Sequence, residues 1–153
     1  MINNLRRWKI GTIVVGGLIE KDGKFLLVQE AKEKCRGKWN LPAGRLASNE
    51  TVMDGAKREI LEETGCTVEL TKILEIGNRI AENNIWLCII FATTLLEENI
   101  VYDKKEILDV KWFSYEELLN MKNELRSYDL IINSISAFVY NKSVDIDVIK
   151  IIK

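Results

Sequence analysis

The sequence predicts one domain of mixed α/β or α+β layers, and three observations carry that expectation. β-type runs fill the early part of the chain, one strongly patterned helix follows, and further helical patterns come only toward the end. No repeat, low-complexity segment or linker interrupts this order, so residues 1–153 read as a single domain, long enough to bury a core.

The elements follow in order. Gly11–Glu20 and Lys24–Glu30 are β-type runs with Asp22-Gly23 between them, the strongest short hairpin signal. Residues 31–40 form a polar, basic loop with Lys32, Lys34, Arg36 and Lys38, leading to the single proline, Pro42. A helix is expected from about Glu50 to Thr64, capped by Ser48 or Asn49 and stopped by Gly65 in the left-handed conformation. Val68–Gly77 and Asn84–Leu96 read as strands, the second rich in Ile, Trp, Phe and Thr. Val110–Phe113 is a short strand, Ser114 to Glu117 fits a capping box opening a helix to about Met121, and a second helix spans Ser127 to Tyr140. Val144–Val148 alternates as a late edge strand does.

Composition removes several classes of chemistry. The chain has no histidine, which excludes Ser-His and Cys-His catalysis and histidine metal sites. Three widely spaced cysteines without a CxxC pair predict buried or half-buried thiols, with neither a zinc site nor a disulfide framework, and a cytoplasmic setting. A net charge of -1 gives no global positive field for nucleic acid or an anionic membrane. The stretch Met1–Trp8 lacks a signal-peptide core, and no apolar run approaches a membrane span.

The central helix carries an anomaly. Val52, Ala56, Glu59 and Glu63 fall in one sector of it, so two glutamates share the apolar side with Glu62 beside them. Glu62 has Arg58 four residues back, but Glu59 and Glu63 have no basic residue at the contacting spacings of three and four. An ionised carboxylate on a buried face needs a cation. Either a strand or loop supplies Arg or Lys, or a divalent metal sits there, and an all-oxygen site suits Mg²⁺ or Mn²⁺. Pro42-Ala43-Gly44, just before the helix, lets the backbone approach a ligand closely and offers carbonyl oxygens.

Gly44, Glu50 and the run Arg58-Glu59-Ile60-Leu61-Glu62-Glu63-Thr64-Gly65 fill every fixed position of Gx5Ex7REUxEExGU, with Cys66 at the last apolar place and Asn49 where glycine is common. In this the sequence resembles the Nudix family. The resemblance implies an α/β/α sandwich around a mixed β-sheet and hydrolysis of a nucleoside diphosphate linked to a further group. It implies Glu59 and Glu63 as the principal Mg²⁺ or Mn²⁺ ligands with Glu62 assisting, Arg58 orienting the glutamates, and Glu50 supporting them, and the Gly44 carbonyl of the preceding loop is a further candidate ligand by its position. Glu106, before the Trp112 strand, is the candidate general base. Residues 28–45 and 125–130 are similar to those of the animal members that hydrolyse 8-oxoguanine nucleoside diphosphates, such as 8-oxo-dGDP. Trp39, Asn40, Gln29 and Arg45 are the substrate candidates there, and Trp86 and Phe91 are further faces on which a base could stack. The expected partner is a nucleotide, with no membrane and no nucleic acid, in a monomer or homodimer. A non-catalytic nucleotide sensor and an RNA-end hydrolase stand as alternatives.

Overall fold

The computed structural model describes residues 11–81 and 84–152. The reading of Met1–Trp8 lies outside them. The strands are β1 (Thr12–Leu18), β2 (Glu20–Lys21), β3 (Lys24–Glu30), β4 (Trp39–Asn40), β5 (Ala43–Arg45), β6 (Thr67–Ala81), β7 (Asn84–Glu97), β8 (Ile107–Ser114) and β9 (Val144–Asp145). The helices are α1 (Val52–Thr64), α2 (Tyr115–Leu119) and α3 (Tyr128–Val139).

Local chemistry explains most boundaries. Asp22 and Gly23 both take positive φ, 52° and 76°, the conformation a two-residue hairpin between twisted strands demands. Ser114 and Glu117 form a reciprocal capping box at α2. Gly65 ends α1 at φ 76°, its N–H bonded to the Leu61 carbonyl. The start of α1 differs from expectation. Thr51 is the cap, its hydroxyl accepting the Asp54 N–H at 3.1 Å, while Glu50 is drawn into other bonds. Thr51→Ala is therefore expected to cost about 1 kcal/mol, and Asn49→Ala close to nothing, in denaturant unfolding.

The strands divide between two sheets. One is mixed and five-stranded, in the order β5-β1-β7-β6-β9, with β1 parallel to β7 and the other pairs antiparallel. The second sets β8 along one edge of β3, with β2 and β4 on the other edge. Residues 43–45, expected as loop, are the edge strand β5, pairing Gly44 with Val15. The late strand is shorter than its pattern, because Ile146–Val148 turns into a 3-10 helix.

Alternation of side chains builds two cores. Val15, Leu26 and Phe91 pack with Ala56 and Ile60 of α1, while Leu18, Leu27, Cys88 and Ile90 pack with Ile131 and Ile135 of α3. The molecule is thus the expected sandwich, with α1 on one side of the sheets and α2 and α3 on the other. Cys66 and Cys88 are buried and Cys35 half-buried, all as free thiols. Among the described residues no helix is long and apolar enough to cross a membrane.

Candidate active site

The site forms where α1 lies across β5. Gly44 is the point of closest approach, for a Cβ added there would stand 2.0 Å from Glu59 Oε2. One turn further along α1, Glu63 Oε2 accepts the Ala43 N–H at 3.0 Å. Both carboxylates are thereby held against the backbone of one short edge strand. Glu63 is only 5% exposed.

Arg58 binds three carboxylates, Glu59 among them. Its Nε and Nη2 hold the two oxygens of Glu50 at 2.9 and 2.6 Å, a bidentate pair. Its Nη1 donates to Glu59 Oε1 at 2.8 Å and to Glu62 Oε2 at 3.1 Å, and Nη2 reaches the Arg45 carbonyl at 3.2 Å. The expectation that Glu59 has no basic neighbour is corrected here. Helix spacing counts residues three and four apart, but the long guanidinium folds back across the glutamate next to it. Glu63 is the exception, since its one hydrogen-bond donor is a backbone amide and no salt bridge forms to it among the described residues.

Charge behaviour follows from these contacts. Arg58, helped by the Ala47 N–H, holds the Glu50 carboxyl down to about 2. Burial pushes Glu59 up and outweighs the opposing Arg58 contact. Burial also pushes Glu63 up, to about 8, with the Ala43 N–H and Lys32 opposing it and the nearby Glu30 and Glu59 adding to it. The helix face thus carries a carboxyl whose burial favours keeping its proton.

Beside these carboxylates opens a cleft of about 690 Å³. Asn40, Ala43, Gly44, Trp86 and Ser127 line it, and every charged side chain among its lining residues is cationic: Lys32, Arg45, Arg79 and Arg126. The Arg79 guanidinium stands 5.1 Å from the centre of the Trp86 ring. A second hollow of about 430 Å³, against α2, shares no residue with this one. The arrangement offers cationic side chains to an anion and the Trp86 ring to a flat group carried by it.

The sequence-derived candidates divide. Asn40, Gly44 and Arg45 line the cleft. Trp39 and Gln29 do not, because neighbours along a strand point to opposite faces and these two pair with each other on the face away from Asn40. The Trp39 ring packs edge-on against Phe113 at 4.8 Å, and Gln29 Nε2 is bonded to the Gly37 carbonyl at 3.0 Å. Phe91 is fully buried beneath α1, which leaves Trp86 as the aromatic face in the cleft. Of the basic loop, Lys32 lines the cleft, whereas Arg36 and Lys38 are bonded to the carbonyls of Ala31 and Asn123. Glu106 is not among the lining residues; its side chain is 63% exposed, and its Oε2 lies 3.8 Å from the Nζ of Lys32, which does line the cleft.

Sequence reasoning missed Glu30, Arg79 and Arg126. Glu30 left a signal, since it lies two and four residues from the buried Val28 and Leu26 on one face of β3. The two arginines left none, as nothing local distinguishes a cleft arginine from a solvated one.

Comparison with known proteins agrees with this geometry. A model of the NUDIX domain matches residues 9–133. Phosphatase NudJ of Escherichia coli K12 is 34% identical over 132 residues, which is 82% of this chain and 82% of that protein. The human 8-oxo-dGDP phosphatase NUDT18 is 30% identical over 122 residues, 78% of this chain and 36% of that protein. The chain spans about a third of the length of the animal relatives it matches. A solved NUDIX hydrolase from Nitrosomonas europaea superposes with a TM-score of 0.84 at 25% identity, covering 94% of this chain and 98% of that one. A glycine strand under a glutamate-bearing helix, in a chain whose box, family model and fold all coincide, leaves one assignment: the chain belongs to the Nudix hydrolase family.

Proposed function

We propose that the protein hydrolyses the phosphoanhydride bond of a nucleoside di- or triphosphate with Mg²⁺ or Mn²⁺, and that it prefers an oxidised purine nucleotide such as 8-oxo-dGDP. The observation that carries this reading is a cleft whose charged lining residues are all cationic and which is lined by Gly44, the residue against which the Glu59 carboxylate is held. In such a cleft Lys32, Arg45, Arg79 and Arg126 neutralise the phosphates, and Trp86 offers its ring to the base.

Nudix hydrolases generally use divalent metal ions, and the residues here fit one. Among the described residues no three His, Cys, Asp or Glu side chains stand together as a group that could hold a metal ion. Glu59 Oε2 and Glu63 Oε1 nevertheless accept no hydrogen bond from them, and Glu63 is buried without a cation. The donors are all oxygens, which hard divalent ions favour. Glu59 and Glu63 would hold the ion, with Glu62 and the Gly44 carbonyl assisting. When bound, the ion supplies charge neutralisation and an acidified water. Arg58 fixes Glu50, Glu59 and Glu62 in place. Water adds to phosphorus as the bridging P–O bond breaks, and the water's proton passes to Glu106, the acidic residue beside Lys32. The products of a diphosphate substrate are a nucleoside monophosphate and inorganic phosphate.

The preference for an oxidised base rests on the likeness to NUDT18 and on Asn40 in the cleft. Oxidation at C8 of guanine turns N7 from acceptor to donor. A carboxamide oxygen facing N7 then gains a hydrogen bond in place of a repulsion, a difference of about 1–3 kcal/mol, or roughly ten- to a hundredfold. The test is kcat/KM for 8-oxo-dGDP against dGDP with Mg²⁺, repeated with EDTA. The expected result is at least about tenfold preference, abolished activity with EDTA, and recovery on adding Mg²⁺. A ratio near one removes the oxidised-base preference, and unchanged turnover in EDTA removes the metal.

A further inference from the structure

Glu30 belongs to neither the box nor any ion-holding group described above, yet its placement is costly. It is 2% exposed, and its Oε2 is buried with no hydrogen-bond partner among the described residues. Its other oxygen, Oε1, accepts from two cleft residues at once: Arg126 Nη1, and Asn40 Nδ2 at 3.3 Å. A pair of apolar residues in this position would avoid burying a half-satisfied carboxyl. The register of β3 against β8 shifts between Gln29 and Glu30, an irregularity of the kind that re-aims a side chain.

Sharing one oxygen constrains both partners. An amide side chain can turn either end toward a neighbour, but only its NH₂ end can face Glu30 Oε1 without opposing two acceptors. Asn40 Oδ1 is thereby turned away from Glu30. It accepts no hydrogen bond from the described residues and is not among the side-chain atoms buried without a partner. Arg126 is 43% exposed, and its side chain spends only Nη1 on Glu30. The cleft wall therefore presents a fixed acceptor from Asn40 near free donors from Arg126.

We infer that Glu30 is a positioning residue for base choice: by locking the Asn40 amide it keeps an acceptor facing the ligand, beside the Arg126 donors. This rests on the oxidised-purine reading above. In 8-oxoguanine the N7–H donor is flanked by the O6 and O8 acceptors, which complements that pair. Unmodified guanine sets its N7 lone pair against the Asn40 oxygen. A carboxyl at position 30 makes the mismatch unavoidable, because Asn40 cannot flip to relieve it.

The experiment compares kcat/KM for 8-oxo-dGDP and dGDP, with Mg²⁺, in the wild type, in Glu30→Gln, and in Glu30→Gln combined with Asn40→Asp. Glu30→Gln keeps the shape of the side chain but offers both a donor and an acceptor, so Asn40 is free to turn. The ratio of oxidised to unmodified substrate is expected to fall at least about fivefold, mainly through a lower KM for dGDP, whose N7 the freed Asn40 amide can now meet with its NH₂ end. The double variant exchanges donor and acceptor across the same pair, so the carboxylate at position 40 returns a permanent acceptor to the cleft. It is expected to regain most of the wild-type ratio. Because it keeps the paired hydrogen bonds, it also tests the pair where the single variant folds poorly. A purely structural role for Glu30 would move both substrates together and leave the ratio alone, which overturns the inference. So does a double variant that recovers nothing. A wild-type ratio near one overturns the substrate reading itself, whereas wild-type discrimination that survives Glu30→Gln overturns only the role of Glu30.

Discussion

Glu63→Gln is expected to lower hydrolysis on the order of a hundredfold or more, about 2.7 kcal/mol of transition-state stabilisation, while making the metal-free protein more stable at neutral pH. The two effects share one cause. Glu63 is buried, bonded among the described residues to the Ala43 N–H alone, and burial pushes its carboxyl up to about 8. In the unfolded chain it titrates near the ordinary value of about 4.3. A folded value above the unfolded one means that its contribution to stability is complete below about pH 4 and is lost as pH rises toward 8. The melting temperature of metal-free protein should therefore fall across that window, through a loss on the order of a few kcal/mol, and the Gln variant should not follow it. Adding Mg²⁺ at pH 8 should raise the wild-type melting temperature and the variant's much less, since only the wild type has the carboxylate for the ion to stabilise. Near-normal turnover in the variant, or parallel melting curves for the two proteins across this pH range, would remove Glu63 from the metal site. Glu59→Gln should lose activity similarly with a weaker pH effect, because Arg58 already compensates one of its oxygens.

Gly44→Ala should be nearly as damaging without touching a charge. The new methyl would lie 2.0 Å from Glu59 Oε2 and 2.1 Å from its Cδ, so the carboxyl must leave the β5 backbone. No strain of φ is involved, since Gly44 is not among the positive-φ glycines. The effect is the displacement alone. A carboxylate moved by about 1 Å costs roughly a hundredfold in a positioned reaction. The expected pattern is a large fall in kcat with a melting temperature close to wild type, because Glu59 can swing outward to solvent. Full activity in the Gly44→Ala variant would mean that Glu59 works from some other position than the one against β5.

Much of this was legible along the chain, and the reasons are local. Asp22-Gly23 requires positive φ, Gly65 ends a helix, and Ser114 with Glu117 caps one. Each is decided by a few neighbouring residues, so each could be read in place. The grouping of Glu59, Glu62 and Glu63 was legible for the same reason, since 3.6 residues per turn puts them together wherever the helix lies. The Thr51 cap was not legible, because Glu50 is claimed by Arg58 eight residues on, a contact that shortens the helix start.

What the chain could not reveal is which side chains meet across elements. Ala43-Gly44-Arg45 looks like a turn until β1 is alongside to pair with it. Trp39 and Asn40 are adjacent in sequence and look equally suited to a base, but the pairing of β4 with β3 sends them to opposite faces. Glu30, Asn40 and Arg126 become one unit only because the segment after α2 docks on β4, where the Arg126 N–H meets the Trp39 carbonyl at 2.9 Å. The helix, its carboxylates and the hairpin turns depend on backbone periodicity and on residues a few positions apart, so the order of amino acids settles them. Which carboxyl lacks a cation, which aromatic ring faces the cleft and which amide is locked are settled only on folding, because they depend on burial and on partners as many as 96 positions away in the chain.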